Sequence, residues 1–248
     1  MELTEAIRQQ TIHIQEKIRR ACIRCGRRPD EVQLLLATKT VPPENIRAAI
    51  AAGARLIGEN KVQELRDKDA ALQGLDIERH FIGHLQSNKV KDVLKYAGCI
   101  QSVDRISIAE QLDRRLQAEG RGLDIYVQVN TSAEDSKFGI APAEAVDFIK
   151  ALRPFRSLRL KGLMTIGLLD ADPEWRRPSL RQLRLVRNKI MREGIEGIGE
   201  LGLSMGMSGD MEMAIEEGAT LVRIGTAIFG NRIPGKEVWD ETAAANSH

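Results

Sequence analysis

Lys39 stands where a lysine is costly, at the end of an apolar run. Val32-Gln33-Leu34-Leu35-Leu36-Ala37-Thr38-Lys39 reads as a buried parallel strand, and Thr40-Val41-Pro42-Pro43 turns the chain. An amine in an apolar wall loses solvation, so its pKa is expected to fall and the neutral amine can attack a carbonyl. The plainer alternative is a lysine that snorkels to the rim and only closes the strand. Near the other end, Thr220-Leu221-Val222-Arg223-Ile224-Gly225-Thr226 carries a second strand into a glycine turn. Gly225 and Thr226 offer backbone N–H groups to a phosphate, or merely tighten the turn. Just before it, Ser204-Met205-Gly206-Met207-Ser208-Gly209-Asp210 places Ser208 at a helix N-terminus, where a hydroxyl can bind an anion or simply cap the helix. Amine and cradle together suit a carbonyl compound that carries a phosphate.

Eight strand-like segments could position these residues. They cover 32–39, 55–60, 80–84, 99–103, 124–130, 160–165, 200–205 and 220–224. Helical stretches follow at 43–52, 62–72, from Ser87, and at 106–118, 142–152, 178–192 and 210–217. Ahead of them, Leu3, Ile7, Ile14, Ile18 and Cys22 recur at helical spacing, with Gly26 as a C-cap and Pro29 as a stop. Eight alternating units in a chain of 248 residues predict a single-domain (β/α)8 TIM barrel with an extra N-terminal helix. A doubly wound sheet rarely needs so many even units. The barrel is expected over 1–236, with a frayed tail over 237–248 that is too short for a second domain.

Ligand chemistry in such a barrel sits at the C-terminal strand ends. That selects Lys39, Asn60, His84, Asn130, Thr165, Ser204 and the Gly225 turn to face one pocket. Asn60 could bond a ligand oxygen or cap the next helix. His84 reads as structural rather than as a pocket wall, and Lys137 in its polar loop reaches an anion or only water. Arg176, Arg177, Arg181, Arg184 and Arg187 read as a solvated helix face.

Composition excludes several classes. A net charge of +2 and 4% aromatic residues give no case for nucleic acid or a membrane surface. No apolar run is long enough to span a bilayer and the N-terminus lacks a secretory pattern, so a cytoplasmic location is expected. Cys22 and Cys25 have CxxC spacing, but no second pair or local histidines complete a metal site, and they read as ordinary helix cysteines. No metal is expected.

Several stretches resemble the YggS/PROSC family of pyridoxal phosphate homeostasis proteins. They are Ala37-Thr38-Lys39-Thr40, Gly58-Glu59-Asn60-Lys61-Val62-Gln63-Glu64, and the run from His80 through Gly83-His84-Leu85-Gln86-Ser87-Asn88 to Lys89. Ser136-Lys137-Phe138-Gly139, Leu163-Met164, Ser204 to Ser208 and Val222 to Gly230 match as well. The likeness runs in order from about residue 30 to 232, and the segments around His80 and from Ser204 to Gly230 are highly specific. It implies a barrel like the N-terminal half of alanine racemases, with pyridoxal 5'-phosphate held as an internal aldimine on Lys39. It also implies Arg223 at the pyridine nitrogen and Ser208, Gly225 and Thr226 at the phosphate; Asn60 and Ser204, from their strand-end positions, are expected as further cofactor contacts. A guanidinium does not readily give up a proton, so the ring nitrogen would stay unprotonated and the cofactor a poor electron sink. One departure is Lys61, where the family commonly has an aromatic residue that could shield the pocket.

Three functions compete. The first is a carrier in pyridoxal phosphate homeostasis without a dedicated reaction, monomeric, with pyridoxal-phosphate-dependent apoenzymes as possible recipients. A racemase is the second; it needs an acid–base group opposite the lysine, and Tyr96 and Tyr126 fall in a helix end and mid-strand. A Schiff-base aldolase acting on a phosphorylated sugar fits the amine and the cradle but not the other motifs.

Overall fold

The computed structural model describes residues 2–230 except 133, 135–136 and 169–171. The end of the expected domain, the tail at 237–248, and Ser136 of the matching Ser136–Gly139 stretch lie outside the described residues.

The eight expected strands form. They are β1 (Gln33–Ala37), β2 (Leu56–Glu59), β3 (Glu78–Phe81), β4 (Cys99–Val103), β5 (Leu123–Gln128), β6 (Leu158–Met164), β7 (Gly202–Ser204) and β8 (Leu221–Ile224). They close into one parallel barrel in chain order. The closing seam sets Leu35 of β1 opposite Arg223 of β8, so the Lys39 turn and the Gly225 turn emerge side by side. The helices are α1 (Glu2–Arg24), α2 (Pro43–Ala51), α3 (Val62–Asp69), α4 (Val90–Val93) and α5 (Ile106–Ala118), then α6 (Ala145–Leu152), α7 (Pro173–Arg192), α8 (Met211–Glu216) and α9 (Thr226–Phe229).

Period-two alternation sorts each strand between two cores. Leu36, Ile57, Ile100, Val127, Leu203 and Val222 face the helices and are buried with them. Full burial of each such side chain contributes roughly 1.5–3 kcal/mol. On α1 one stripe of Ile7, Ile14, Ile18 and Cys22 is buried, and the helix packs on α2 and α8 beside the short α9. It thereby covers the barrel wall at the closing seam.

The barrel interior departs from the usual filling of branched apolar side chains. Leu35, Leu56 and Leu221 form one small apolar cluster, and Cys99, Tyr126 and Met164 another. With them His80, Gln101, Ser204 and Arg223 are buried as polar groups.

Two expectations fail. Helix α7 begins at Pro173, and Pro178 lies inside it rather than opening it. Near a helix start a proline forfeits one backbone hydrogen bond without ending the helix. The arginines of this helix are not simply solvated either. Arg177, Arg181 and Arg184 converge on the buried Glu217 at 3.1, 3.5 and 2.9 Å, and Arg187 donates to the Leu201 carbonyl at 3.1 Å. Sequence spacing gave one helix face, but the acceptor comes from the far end of α8. All three cysteines are free thiols, and burial pushes that of Cys22 up. No described helix is long and apolar enough to cross a membrane.

Candidate binding site at the barrel mouth

Strand β1 ends at Ala37, so Lys39 sits in the turn beyond it, half-buried. That turn is pinned on both sides. Thr38 donates its hydroxyl to Glu59 Oε1 at 2.7 Å, and Lys68 Nζ donates to the Thr38 carbonyl at 2.8 Å. Lys68 Nζ also reaches Glu59 Oε1 at 2.7 Å and Glu64 Oε2 at 2.8 Å. Thr40, at φ 63°, is the one non-glycine residue with a positive φ among the described residues, and its N–H donates to Glu64 Oε2. A β-branched residue in that region is strained, by roughly 1–3 kcal/mol, and persists only where its surroundings fix it. Burial pushes Glu59 up to about 7 against the pull of Lys68. Burial also raises Glu64, but hydrogen bonds from Lys68 and the Thr40 N–H outweigh it and leave that carboxyl below its usual range.

A cavity of about 560 Å³ opens at the C-terminal strand ends. Lys39, Asn60, Ser208, Arg223, Gly225 and Thr226 all line it. Six of the seven expected residues thus meet in one place, in a volume typical of a cofactor pocket. Ile82, Ile166, Leu168 and Met207 supply apolar walls, and Lys39 is the one primary amine among the lining residues.

Arg223 is buried. Its Nη1 donates to Ser204 Oγ at 2.8 Å and its Nη2 to the Thr165 carbonyl at 2.6 Å. Burial, opposed by Asp210, lowers it to about 10, which leaves it a cation at neutral pH. Gly206 makes the preceding loop possible. At φ 93° any side chain is strained, and a Cβ there would stand 2.4 Å from Ala214 Cβ. The loop is closed by Met207 N–H on Asp210 Oδ1 at 2.6 Å. Ser208 Oγ accepts from Ala227 N–H at 3.2 Å, joining the β7 and β8 loops. Accepting there, Ser208 keeps its own O–H as a donor for an anion.

Ser204 is the exception among the seven. It is fully buried, does not line the cavity, and donates to Gln101 Oε1 at 2.6 Å while accepting from Arg223. Strand β7 is only three residues long and pairs Ser204 with Leu221, below Arg223, so its hydroxyl points into the barrel interior. It supports a lining residue and is not one.

Other strand-end candidates also lie elsewhere. His84 does not line the cavity; it stacks on Phe138 with ring centroids 3.7 Å apart, and burial and Arg105 push its imidazole down. Asn130 ties its own loop by donating to the Glu134 and Lys137 carbonyls. Thr165 supports Arg223 through its carbonyl, and Lys137 donates to the Gly167 carbonyl at 3.1 Å. Lys61 is exposed and borders a separate groove, so it does not stand in for an aromatic pocket wall. Arg176, read from the sequence as part of a solvated helix face, instead also lines the cavity and donates to the Gly209 carbonyl, which comes from a loop distant in sequence. Ile82 carried a usable signal, two residues from His80 on the interior face.

The alanine racemase N-terminal domain model matches residues 42–233. The pyridoxal phosphate homeostasis protein of Aquifex aeolicus is 42% identical over 88% of this chain and 94% of its own. This chain belongs to that family. Among solved structures, a protein of Bifidobacterium adolescentis aligns with a TM-score of 0.83 and 39% identity over 92% of this chain and 96% of its own. PipY of Synechococcus elongatus, solved with pyridoxal phosphate bound, aligns at a TM-score of 0.73 and 35% identity over 81% of this chain and 93% of its own.

Proposed function

We propose that this protein binds pyridoxal 5'-phosphate covalently through Lys39 and acts in intracellular homeostasis of that cofactor, without a dedicated reaction. The observation that carries the reading is the cavity in which a single primary amine, Lys39, shares walls with Arg223 and the Ser208–Gly225–Thr226 cradle. The group fits these residues: it supplies an aldehyde for an amine, a ring nitrogen for a donor and a phosphate for N–H and O–H groups. Lys39 would hold the aldehyde carbon. Arg223 would serve the ring nitrogen and, as a cation, would oppose its protonation. Ser208, Gly225 and Thr226 would hold the phosphate, and Asn60 would serve a ring oxygen. The pinned Thr38–Thr40 turn orients the Lys39 amine, and the apolar walls limit water. The family's name and the PipY complex support the same cofactor.

Racemisation requires an acid–base group across the pocket from the lysine. Tyr126 is buried low in the barrel beside Cys99, its hydroxyl pushed up by burial, and neither it nor Tyr96 lines the cavity. That favours a carrier over a racemase; we further propose that it works as a cytoplasmic monomer and hands cofactor to apoenzymes. Purified protein titrated with pyridoxal phosphate and dialysed should retain visible absorbance while interconverting D- and L-alanine or D- and L-serine negligibly. Loss of all absorbance contradicts the binding claim. Turnover near the ~10 per second median of enzymes contradicts the carrier claim.

A further inference from the structure

A hydrogen-bonded line of buried side chains runs down the barrel interior from Arg223 through Ser204 and Gln101 to His80. Arg223 Nη1 donates to Ser204 Oγ at 2.8 Å. Ser204 Oγ donates to Gln101 Oε1 at 2.6 Å, and Gln101 Nε2 lies 2.7 Å from His80 Nδ1. His80 Nε2 then faces Glu78 Oε1 at 3.1 Å, close in distance but bent from the line of a strong hydrogen bond. Contact with His80 is the leading reason that the Glu78 carboxyl stands below its usual range, with Lys161 and Arg159 adding to it.

The order follows from Arg223. A guanidinium has only donors, so Ser204 accepts from it, and the Ser204 proton lies on Gln101 Oε1. Gln101 must then present oxygen to Ser204 and nitrogen to His80, which leaves His80 Nδ1 as acceptor and puts the ring proton on Nε2. His80, Gln101 and Ser204 are each buried, so none can settle the matter with bulk water. In that order a metal at Glu78, His80 and Cys99, whose donor atoms lie within 4.8 Å of one another, would have to displace the Nε2 proton. A histidine whose Nε2 carries the proton offers no lone pair there.

We propose that Gln101 and His80 are positioning residues for Arg223: the Nε2–H tautomer of His80 locks the Gln101 amide, which locks Ser204 as the acceptor that aims the guanidinium at the cavity. The function of that aim rests on the cavity being the pyridoxal phosphate site; the proton order does not. Ligand chemistry at Arg223 is thereby coupled to a histidine near the opposite end of the barrel.

The test is the ¹⁵N NMR signature of His80, first without ligand. Wild-type protein should show a protonated Nε2 and an unprotonated Nδ1, and the reverse tautomer overturns the relay. Adding pyridoxal phosphate should move the His80 ring signals, and Ser204→Ala should abolish that response; an unmoved wild-type signal in protein that has gained visible absorbance overturns the coupling. His80→Asn keeps an oxygen acceptor for Gln101 and should leave the visible band of the loaded protein unchanged, whereas His80→Leu should shift it. An identical band in a folded His80→Leu variant also overturns the proposal. Absence of any visible band in wild-type protein would instead defeat the cofactor reading, and the ligand-free tautomer would still decide the relay.

Discussion

The backbone N–H of Thr40 donates to Glu64 Oε2, tying the left-handed turn behind Lys39 to helix α3. The same carboxylate accepts from Lys68, which itself holds the Thr38 carbonyl. The turn that carries Lys39, the proposed attachment point, is therefore held by a charged network whose residues do not line the cavity. Glu64→Ala should cost about 1–3 kcal/mol, the scale of leaving hydrogen-bonding groups unsatisfied. It should also weaken retention of pyridoxal phosphate on dialysis. Chemical denaturation and retained absorbance check both, and a variant matching wild type in each would show that the turn stands without Glu64.

Glu217 gives a pH dependence with a definite sign. Burial raises this carboxyl, but Arg177 and Arg184 outweigh burial and leave it below its usual range. Its contribution to stability is complete above the unfolded carboxyl value, roughly 4.3, and is lost as pH falls through the lower folded value. Glu217→Gln should therefore be less stable than wild type at neutral pH, with the gap narrowing as the pH is taken down to the acid range. Melting temperatures of both proteins across that range give the comparison. A gap that stays constant or widens on acidification would contradict the assignment.

Arg223→Gln removes the cation from the pocket while keeping a donor for Ser204. It should alter the visible spectrum of bound pyridoxal phosphate more than the amount bound, because on the proposed reading the phosphate is held by the Ser208–Gly225–Thr226 cradle. Spectra and occupancy measured on one sample separate the two effects. An identical spectrum would place Arg223 away from the ring nitrogen.

The barrel was legible because eight strand-like runs alternate with helical stretches at even spacing; the strand-end rule then selected Lys39, Asn60 and the Gly225 turn, while Arg223 came from the family resemblance. What escaped depended on partners distant in sequence. Ser204 shares the strand-end position of its neighbours, yet the shortness of β7 sets its side chain below the mouth. The arginines of α7 look solvated until Glu217 is placed against them. Thr40 gives no local sign of a positive φ, which its bond to Glu64 sustains. The interior relay was invisible for the same reason, since His80, Gln101, Ser204 and Arg223 come from four different strands.

The claim that Lys39 is the point of attachment is tested most directly by trapping. Protein loaded with pyridoxal phosphate is reduced with borohydride, digested, and its peptides mapped by mass spectrometry. The reduced adduct should lie on Lys39, and Lys39→Ala should lose both adduct and visible band while its circular dichroism and melting temperature stay close to wild type. An adduct on Lys137 or Lys161, or a visible band that survives Lys39→Ala, would contradict it.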